Sequence, residues 1–280
     1  MIEAYAFLAA FTVQIFAVSV LYPAWFTRYL RVQATSIPAE RLAQLYPGVD
    51  PVHAQQRFLT QYRMLTTTIA VLGLLLLGWL FSYMRRPDWG YGPVEVLVTV
   101  YFLAAQMLPL LLVVWLGVRF NKEHKRSLPQ GKRTAILQRR GLFDFVSPFV
   151  VVLAVLSYVL FAVFMLDIQQ RPFPGFAGLV SIGAITLVYA VNASVVYRML
   201  YGKKRNPFET HARRLNAIGL TVKSSVYSCI VIVVYLSLNF SLGLLDLQRW
   251  GPFTLSIFFV INSLLASMGF IAPPRKSHAG

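Results

Sequence analysis

The chain has 280 residues, of which 57% are hydrophobic and 13% are charged, and its formal net charge is +16. A soluble domain of ordinary composition carries about 25% charged residues, so this composition excludes an ordinary soluble fold. A strongly basic chain raises the question of nucleic acid. Here the charges lie between long uncharged segments rather than on one soluble face, and we therefore predict no nucleic-acid partner.

The uncharged segments predict seven transmembrane helices in chain order. Each is about as long as the roughly 20 apolar residues that cross a bilayer. The first begins without the basic residues of a secretory signal, so we expect it to be a retained helix. The predicted spans are residues 4–26, 64–84, 94–118, 145–166, 176–199, 225–245 and 253–272.

The basic residues predict an orientation for these spans. All but four of the 26 Lys and Arg residues lie in the long connections 27–63, 119–144 and 200–224, at Arg198 beside the last of these, or in the C-terminal tail. Positive charge resists translocation and stays cytoplasmic. The sequence therefore predicts a multi-pass protein of the inner (cytoplasmic) membrane, with its N-terminus outside and its C-terminus in the cytoplasm. The four basic residues of the short connections are Arg85, Arg86, Arg171 and Arg249.

The predicted fold is an all-α transmembrane bundle that forms a single integral-membrane domain. One leading helix precedes three helical hairpins at about residues 64–118, 141–199 and 219–272. A repeat is suggested because residues 166–169 read LDIQ and residues 245–248 read LDLQ. The alternative is that all outside turns share a similar composition without any repeat.

The predicted spans exclude several classes of membrane protein. None carries Asp, Glu, Lys, Arg or His at mid-depth, whereas proton pumps and voltage sensors need such groups there. The last span has no lysine to form a retinal Schiff base. Cys229 is the single cysteine, and the four histidines lie outside the apolar segments. We therefore predict no metal and no cofactor.

Carboxamides are the polar groups that remain at membrane depth. Since an unpaired amide in hydrocarbon is costly, each must find a partner or water. They either join helices through hydrogen bonds or line a polar cavity for a neutral or zwitterionic solute. Pro109 is a candidate hinge, because it removes one backbone hydrogen bond close to a carboxamide. The candidate cavity residues are Gln14, Gln106, Asn192 and Asn262.

Two of the connections predicted to be cytoplasmic contain amphipathic stretches. Residues 132–144 and 211–223 place apolar side chains among basic ones, so we expect both to lie at the membrane surface ahead of the next span. Their charges would attract anionic lipid headgroups, unless they serve only to set topology. The candidate lipid contacts are Lys132, Arg133, Arg139, Arg140, Arg213 and Arg214.

The same connections pair glutamate with histidine, at Glu123 with His124 and at Glu209 with His211. Two such pairs would make a metal site if the loops met. The lysines and arginines around them oppose cation binding, and we interpret these residues as solvated loop positions.

The sequence favours a protein that is not an enzyme, since it contains no HExxH, GxSxG or phosphate-loop motif. The function we expect is that of a permease or channel-like protein for a small neutral or lipidic solute. One alternative is a non-catalytic accessory or scaffold subunit that packs against another copy or another membrane protein. Another is an enzyme that acts on lipid at the inner leaflet. A continuous aqueous cavity would indicate the permease, and a dry, fully packed bundle the scaffold. A cytoplasm-facing groove lined by Glu123, His124, Glu209 or His211 would indicate the enzyme.

Overall fold

The computed structural model describes residues 2–35, 51–86, 89–113, 115, 141–170, 178–202 and 211–271. All regular secondary structure in those ranges is helical. The α-helices are α1 (Ile2–Phe16), α2 (Tyr22–Thr35), α3 (Pro51–Tyr83), α4 (Tyr91–Val100), α5 (Pro148–Ile168), α6 (Leu179–Tyr201), α7 (His211–Leu244) and α8 (Gly251–Ile271). The π-helical turns are Ala17–Leu21 and Tyr101–Gln106, and the 3-10 turns are Leu142–Asp144 and Gln248–Trp250.

Seven helical segments in the described part of the chain are long and apolar enough to cross a membrane, which is the predicted number. The largest differences from the predicted bounds are at three ends that face the long connections. There the first, second and sixth segments extend beyond the prediction by 6, 8 and 11 residues. The segments are Ile2–Val32, Gln56–Tyr83, Tyr91–Val113, Pro148–Ile168, Leu179–Tyr201, Arg214–Leu244 and Gln248–Met268.

α7 runs without a break through residues 211–223 into the following span, so this stretch is part of the span helix. Its expected position at the membrane surface stays a prediction. No proline interrupts α7, and its first turns have their own core. Ile218 and Val222 are 1% and 0% exposed and pack with Val146 and Leu200. Burial of these side chains holds the segment on the axis of the span.

The chain forms two compact units. Unit 1 comprises Met1–Leu111 and Arg249–Pro273, and so contains α1 to α4 and α8. Within it, α8 packs against α1, α2 and α4, and α1 also packs against α3. Phe102 stacks on Phe259 with ring centroids 3.8 Å apart. Aromatic stacking of this kind adds to the burial energy of the two rings and ties the end of α4 to α8.

Unit 2 comprises Leu112–Gln248 and Pro274–Gly280, and its helices α5, α6 and α7 all pack against one another. The core between them is apolar, and it includes Phe161, Ile185 and Val233. Large apolar side chains also cover the outside of α5, where Phe149 is 72% exposed. A helix that is apolar on every face suits a lipid environment. The predicted third hairpin, residues 219–272, has its two spans in different units.

Candidate functional site

Two glutamines from distant parts of the chain are hydrogen-bonded inside unit 1. The side-chain amide Nε2 of Gln14 donates to Oε1 of Gln106 at 2.9 Å, and Nε2 of Gln106 donates to Oγ of Ser19 at 3.2 Å. Gln14 is fully buried and Gln106 is 4% exposed. Apolar surroundings cannot replace the hydrogen bonds of an amide, so each glutamine depends on the other.

Ser19 and Gln106 both lie on π-helical turns. In the turn Ala17–Leu21, the carbonyl of Ala17 accepts a hydrogen bond from the backbone N–H of Tyr22, the residue that follows the turn. In the turn Tyr101–Gln106, the N–H of Met107 donates to the carbonyl of Phe102 at 2.9 Å. Both bonds reach back five residues instead of four. Such wide turns are rare and are found frequently at functional sites.

A proline explains the position of each π-helical turn. Pro23 stands four residues after Ser19, and Pro109 stands four residues after Ala105. Proline has no N–H to donate, and its ring crowds the carbonyl four residues earlier. The backbone therefore widens just before each proline. The candidate hinge Pro109 lies at one of these irregular points, and its movement stays a prediction. Sequence reasoning missed Pro23, which lies inside the predicted first span.

Tyr101 fixes the second π-helical turn against α3. Its hydroxyl donates to the carbonyl oxygen of Ile69 at 2.9 Å. This approach requires Gly73, because a Cβ built there would overlap the Tyr101 hydroxyl and lie 2.7 Å from its Cζ. Small residues allow such close helix contacts in membranes. The contact holds Gln106, which ends the same turn, in a defined position.

A small cavity with a few polar residues in its lining lies beside Gln106. Its volume is about 10 Å³, which is close to the space that one water molecule needs. Ser19, Tyr62, Thr66 and Gln106 contribute polar groups to its lining. Within the described ranges, the buried Tyr62 hydroxyl and Oε1 of Gln14 have no hydrogen-bond partner. Tyr62 lines the cavity and Gln14 does not, so one residue of the lining carries an unsatisfied polar group.

A larger groove adjoins this cavity and shares Ser19, Pro23 and Thr66 with it. The groove has a volume of about 510 Å³, within the roughly 300–1,000 Å³ of ligand sites. It runs between the first span and α3. Three arginines line it together with small and hydroxyl-bearing residues. These arginines are Arg28, Arg31 and Arg63.

The other two predicted cavity residues do not join the pair. Asn262 is half-buried in unit 1, and its Nδ2 donates to the carbonyl of Phe258 at 3.2 Å. Asn192 belongs to unit 2, where its Nδ2 donates to the carbonyl of Val188 at 3.0 Å. Each asparagine thus donates one amide N–H to its own helix, one turn back. Their part in a cavity stays a prediction.

The predicted lipid-contact residues fall mostly outside the described ranges, as Lys132, Arg133, Arg139 and Arg140 do. Arg213 is in the first turn of α7. Arg214 follows it, and its Nη2 donates to the carbonyl of Gly202 at 2.8 Å. That carbonyl comes directly after the C-terminal end of α6, where cations are favourable. Arg214 thus has a structural contact beside any lipid role.

The glutamate–histidine pairs are also mostly outside these ranges, since Glu123, His124 and Glu209 are not described and His211 begins α7. Among the side chains that the structure describes, no three of His, Cys, Asp and Glu come together in a way that could hold a metal ion.

Comparison of the chain with protein families, with curated proteins and with solved structures found no match. The classification therefore depends on the helices themselves. Seven apolar helices of spanning length are the architecture of a multi-pass membrane protein.

Proposed function

We propose that the chain is a permease-like membrane protein that carries a lipidic solute through unit 1. The observation that carries the proposal is the buried Gln14–Gln106 pair beside a small cavity that shares lining residues with a larger groove. Polar groups are expensive at membrane depth, and those that face a cavity mark solute paths. The pair would accept the polar part of the solute when it passes mid-membrane.

The shape of the space favours a lipidic solute over a water-soluble one. On α3 the lining residues of the cavity and groove run from Tyr62 to Ala70, which is about 12 Å of helix. The hydrocarbon core is about 30 Å thick, so this space reaches only part of the way across. A solute that already resides in the bilayer can enter such a groove from the side, between two helices.

The local backbone supports a carrier more than a rigid scaffold. Each of the two π-helical turns holds one polar partner of the site, Ser19 or Gln106, within one helical turn before a proline. Helices interrupted in this way bend more easily than regular ones. A change at Pro23 or Pro109 would move Ser19 and Gln106 relative to each other. This gives the carrier a place to alternate between two arrangements.

The competing proposal is an accessory subunit in which the two glutamines only join helices. Asn192 and Asn262 favour it, since both amides donate to their own helices without any ligand. In either case, we propose that the protein lies in the cytoplasmic membrane and that the end of the groove at Arg28 faces the cytoplasm. Both proposals depend on the uneven distribution of basic residues along the chain. A homo-oligomer or a partner membrane protein would cover the exposed apolar faces.

The test of the carrier proposal is transbilayer movement of a fluorescent phospholipid in liposomes that contain the purified protein. Phosphatidylglycerol, phosphatidylethanolamine and phosphatidylcholine with the same labelled chain are compared. We expect the protein to speed the movement of at least one of them at least tenfold over empty liposomes. Gln106→Leu should remove most of that gain, and Asn239→Leu, which alters an amide of unit 2 outside the candidate cavity residues, should not. Equal rates with and without wild-type protein for all three lipids would overturn the proposal.

A further inference from the structure

We propose that the groove between α2 and α3, which Arg31 also lines, is a binding site for the phosphate of an anionic lipid headgroup, held by Arg28 and Arg63. This inference rests on the carrier proposal and names the chemical class of the solute. The proposed lipid contact lies at residues that sequence analysis did not predict to bind lipid. The sequence pointed instead to the basic residues of the later connections.

The charge of the groove is matched to an anion. Arg28 and Arg31 are three residues apart on α2, so their side chains share one face, and Arg63 faces the groove from α3. None of the described residues that line the groove is acidic. Guanidinium groups bind phosphate through paired N–H donors in a planar fork, more specifically than a point charge does.

Two of the four hydroxyl groups that line the groove already donate within their own helices. Oγ1 of Thr27 donates to the carbonyl of Ala24 at 3.0 Å, and Oγ1 of Thr66 donates to the carbonyl of Arg63 at 3.1 Å. A phosphate that enters the groove would receive its charged hydrogen bonds from guanidinium groups. Thr27 and Thr66 would contribute polar surface without donating to it.

The far end of the groove suits the apolar part of a lipid. Val20, Ala24 and Ala70 line it between the arginines and Ser19. From Arg28 to Val20 the helix rises about 12 Å, enough for a glycerol backbone and the first carbons of an acyl chain. Ala24 and Ala70 leave the groove open because their side chains are small. An amphiphile would therefore lie with its charged head at the arginines and its chain toward mid-membrane.

Topology alone does not require this arrangement. Positive charge sets the topology of a membrane protein through the side of the membrane on which it lies, and its exact position does not matter for this effect. Arg57 lies on the same helix as Arg63, is exposed and does not line the groove, so it carries the same topological signal without the site. It is the matched control for the arginines of the groove.

The test counts bound lipid by native mass spectrometry of the detergent-solubilised protein during titration with phosphatidylglycerol, and in parallel with phosphatidylcholine of the same chains. We expect the wild-type protein to bind phosphatidylglycerol more tightly than phosphatidylcholine. Arg28→Gln and Arg63→Gln should each weaken its binding at least fivefold, and Arg57→Gln should change it less than twofold. Equal loss in all three variants would mean diffuse charge attraction and would overturn the proposal.

A second variant fills the groove without altering its charge. Ala24→Phe should weaken phosphatidylglycerol binding at least fivefold, whereas Ala193→Phe, at an exposed position of unit 2, should leave it unchanged. Unchanged binding in Ala24→Phe would overturn the proposal even if the arginine variants failed to fold. Inorganic phosphate separates the two sources of the anion. If it displaces phosphatidylglycerol at millimolar concentration, the site takes a free anion and the lipid assignment is wrong.

The outcomes for binding and for transport are distinguishable. If the wild-type protein moves lipid but does not bind phosphatidylglycerol more tightly than phosphatidylcholine, the headgroup site alone is overturned. Intact binding with no lipid movement would overturn the carrier proposal and leave the headgroup site in place.

Discussion

The amide of Gln14 and the carbonyl oxygen of Gln106 meet at 2.9 Å although the two residues are 92 positions apart in the chain. The bond joins the leading helix to the third predicted span within unit 1. Because Gln106 also donates to Ser19, the three side chains form one short network. Its position beside the small cavity makes it the centre of the proposed transport path.

The first prediction concerns the energy of that network. Gln106→Leu should lower the free energy of unfolding by about 1–3 kcal/mol, because it leaves the buried amide of Gln14 without its acceptor. The double variant Gln14→Leu/Gln106→Leu should cost less than the sum of the single variants, with a coupling of about 0.5–2 kcal/mol. Reversible unfolding in detergent measures the free energy of unfolding of the wild type, the two single variants and the double variant. Additive effects would show that the two side chains do not depend on each other.

The second prediction concerns the close approach of Tyr101 to α3. Gly73→Ala should destabilise the protein by about 1–3 kcal/mol, since the added Cβ meets the Tyr101 ring and disturbs its bond to Ile69. Gly78→Ala on the same helix is the control, because a Cβ there meets nothing within 4 Å. It should be neutral or stabilise the helix by up to about 1 kcal/mol. Thermal unfolding in detergent compares them, and equal effects would contradict the packing described for Tyr101.

The third prediction concerns the cause of the π-helical turns. Pro109→Ala restores an N–H that can reach the carbonyl of Ala105, so the turn should become α-helical and move Gln106 away from Gln14. The coupling energy between the two glutamines, measured again in this background, should fall toward zero. Pro93→Ala is the control, because Pro93 lies in the first turn of α4, where an N–H has no helical acceptor. An undiminished coupling in Pro109→Ala would mean that the proline does not position the pair.

The fourth prediction concerns water access and orientation. In a Cys229→Ser background, cysteines at Ala24 and Thr67 in the groove should react with a charged maleimide in inverted vesicles but not in intact cells. A cysteine at Gln106 should react at least tenfold more slowly, because the cavity beside it has room for about one water molecule. Leu75→Cys, on an exposed apolar face of α3, should stay protected by lipid.

The labelling side decides the orientation. Reaction of the groove positions only in intact cells would reverse the predicted topology. Protection of the groove positions from both sides, with a cysteine introduced at Gly280 labelled normally, would mean that the groove is closed to water.

Some of the site was predictable from local sequence. Gln106 and Gln14 stood out because an amide in a long apolar segment needs a partner, and Pro109 stood out as a break near one of them. Ser19 did not stand out, since serine is common in spans and bonds readily to its own helix. Pro23 and Gly73 carried local signals, but their importance depends on Gln106 and Tyr101, which approach from another helix.

The amino-acid sequence by itself determined the helical class and the number of apolar spans, because the length of an apolar segment and the lack of charge within it are local properties that a bilayer selects directly. The tertiary structure decided which carboxamides pair with each other, which hydrogen-bond to their own helices and which arginines line the same groove. Those outcomes depend on helix rotation and on contacts between residues far apart in the chain. Apolar patterns in a span are nearly uniform around the helix, so they leave its rotation unspecified until neighbouring helices pack against it.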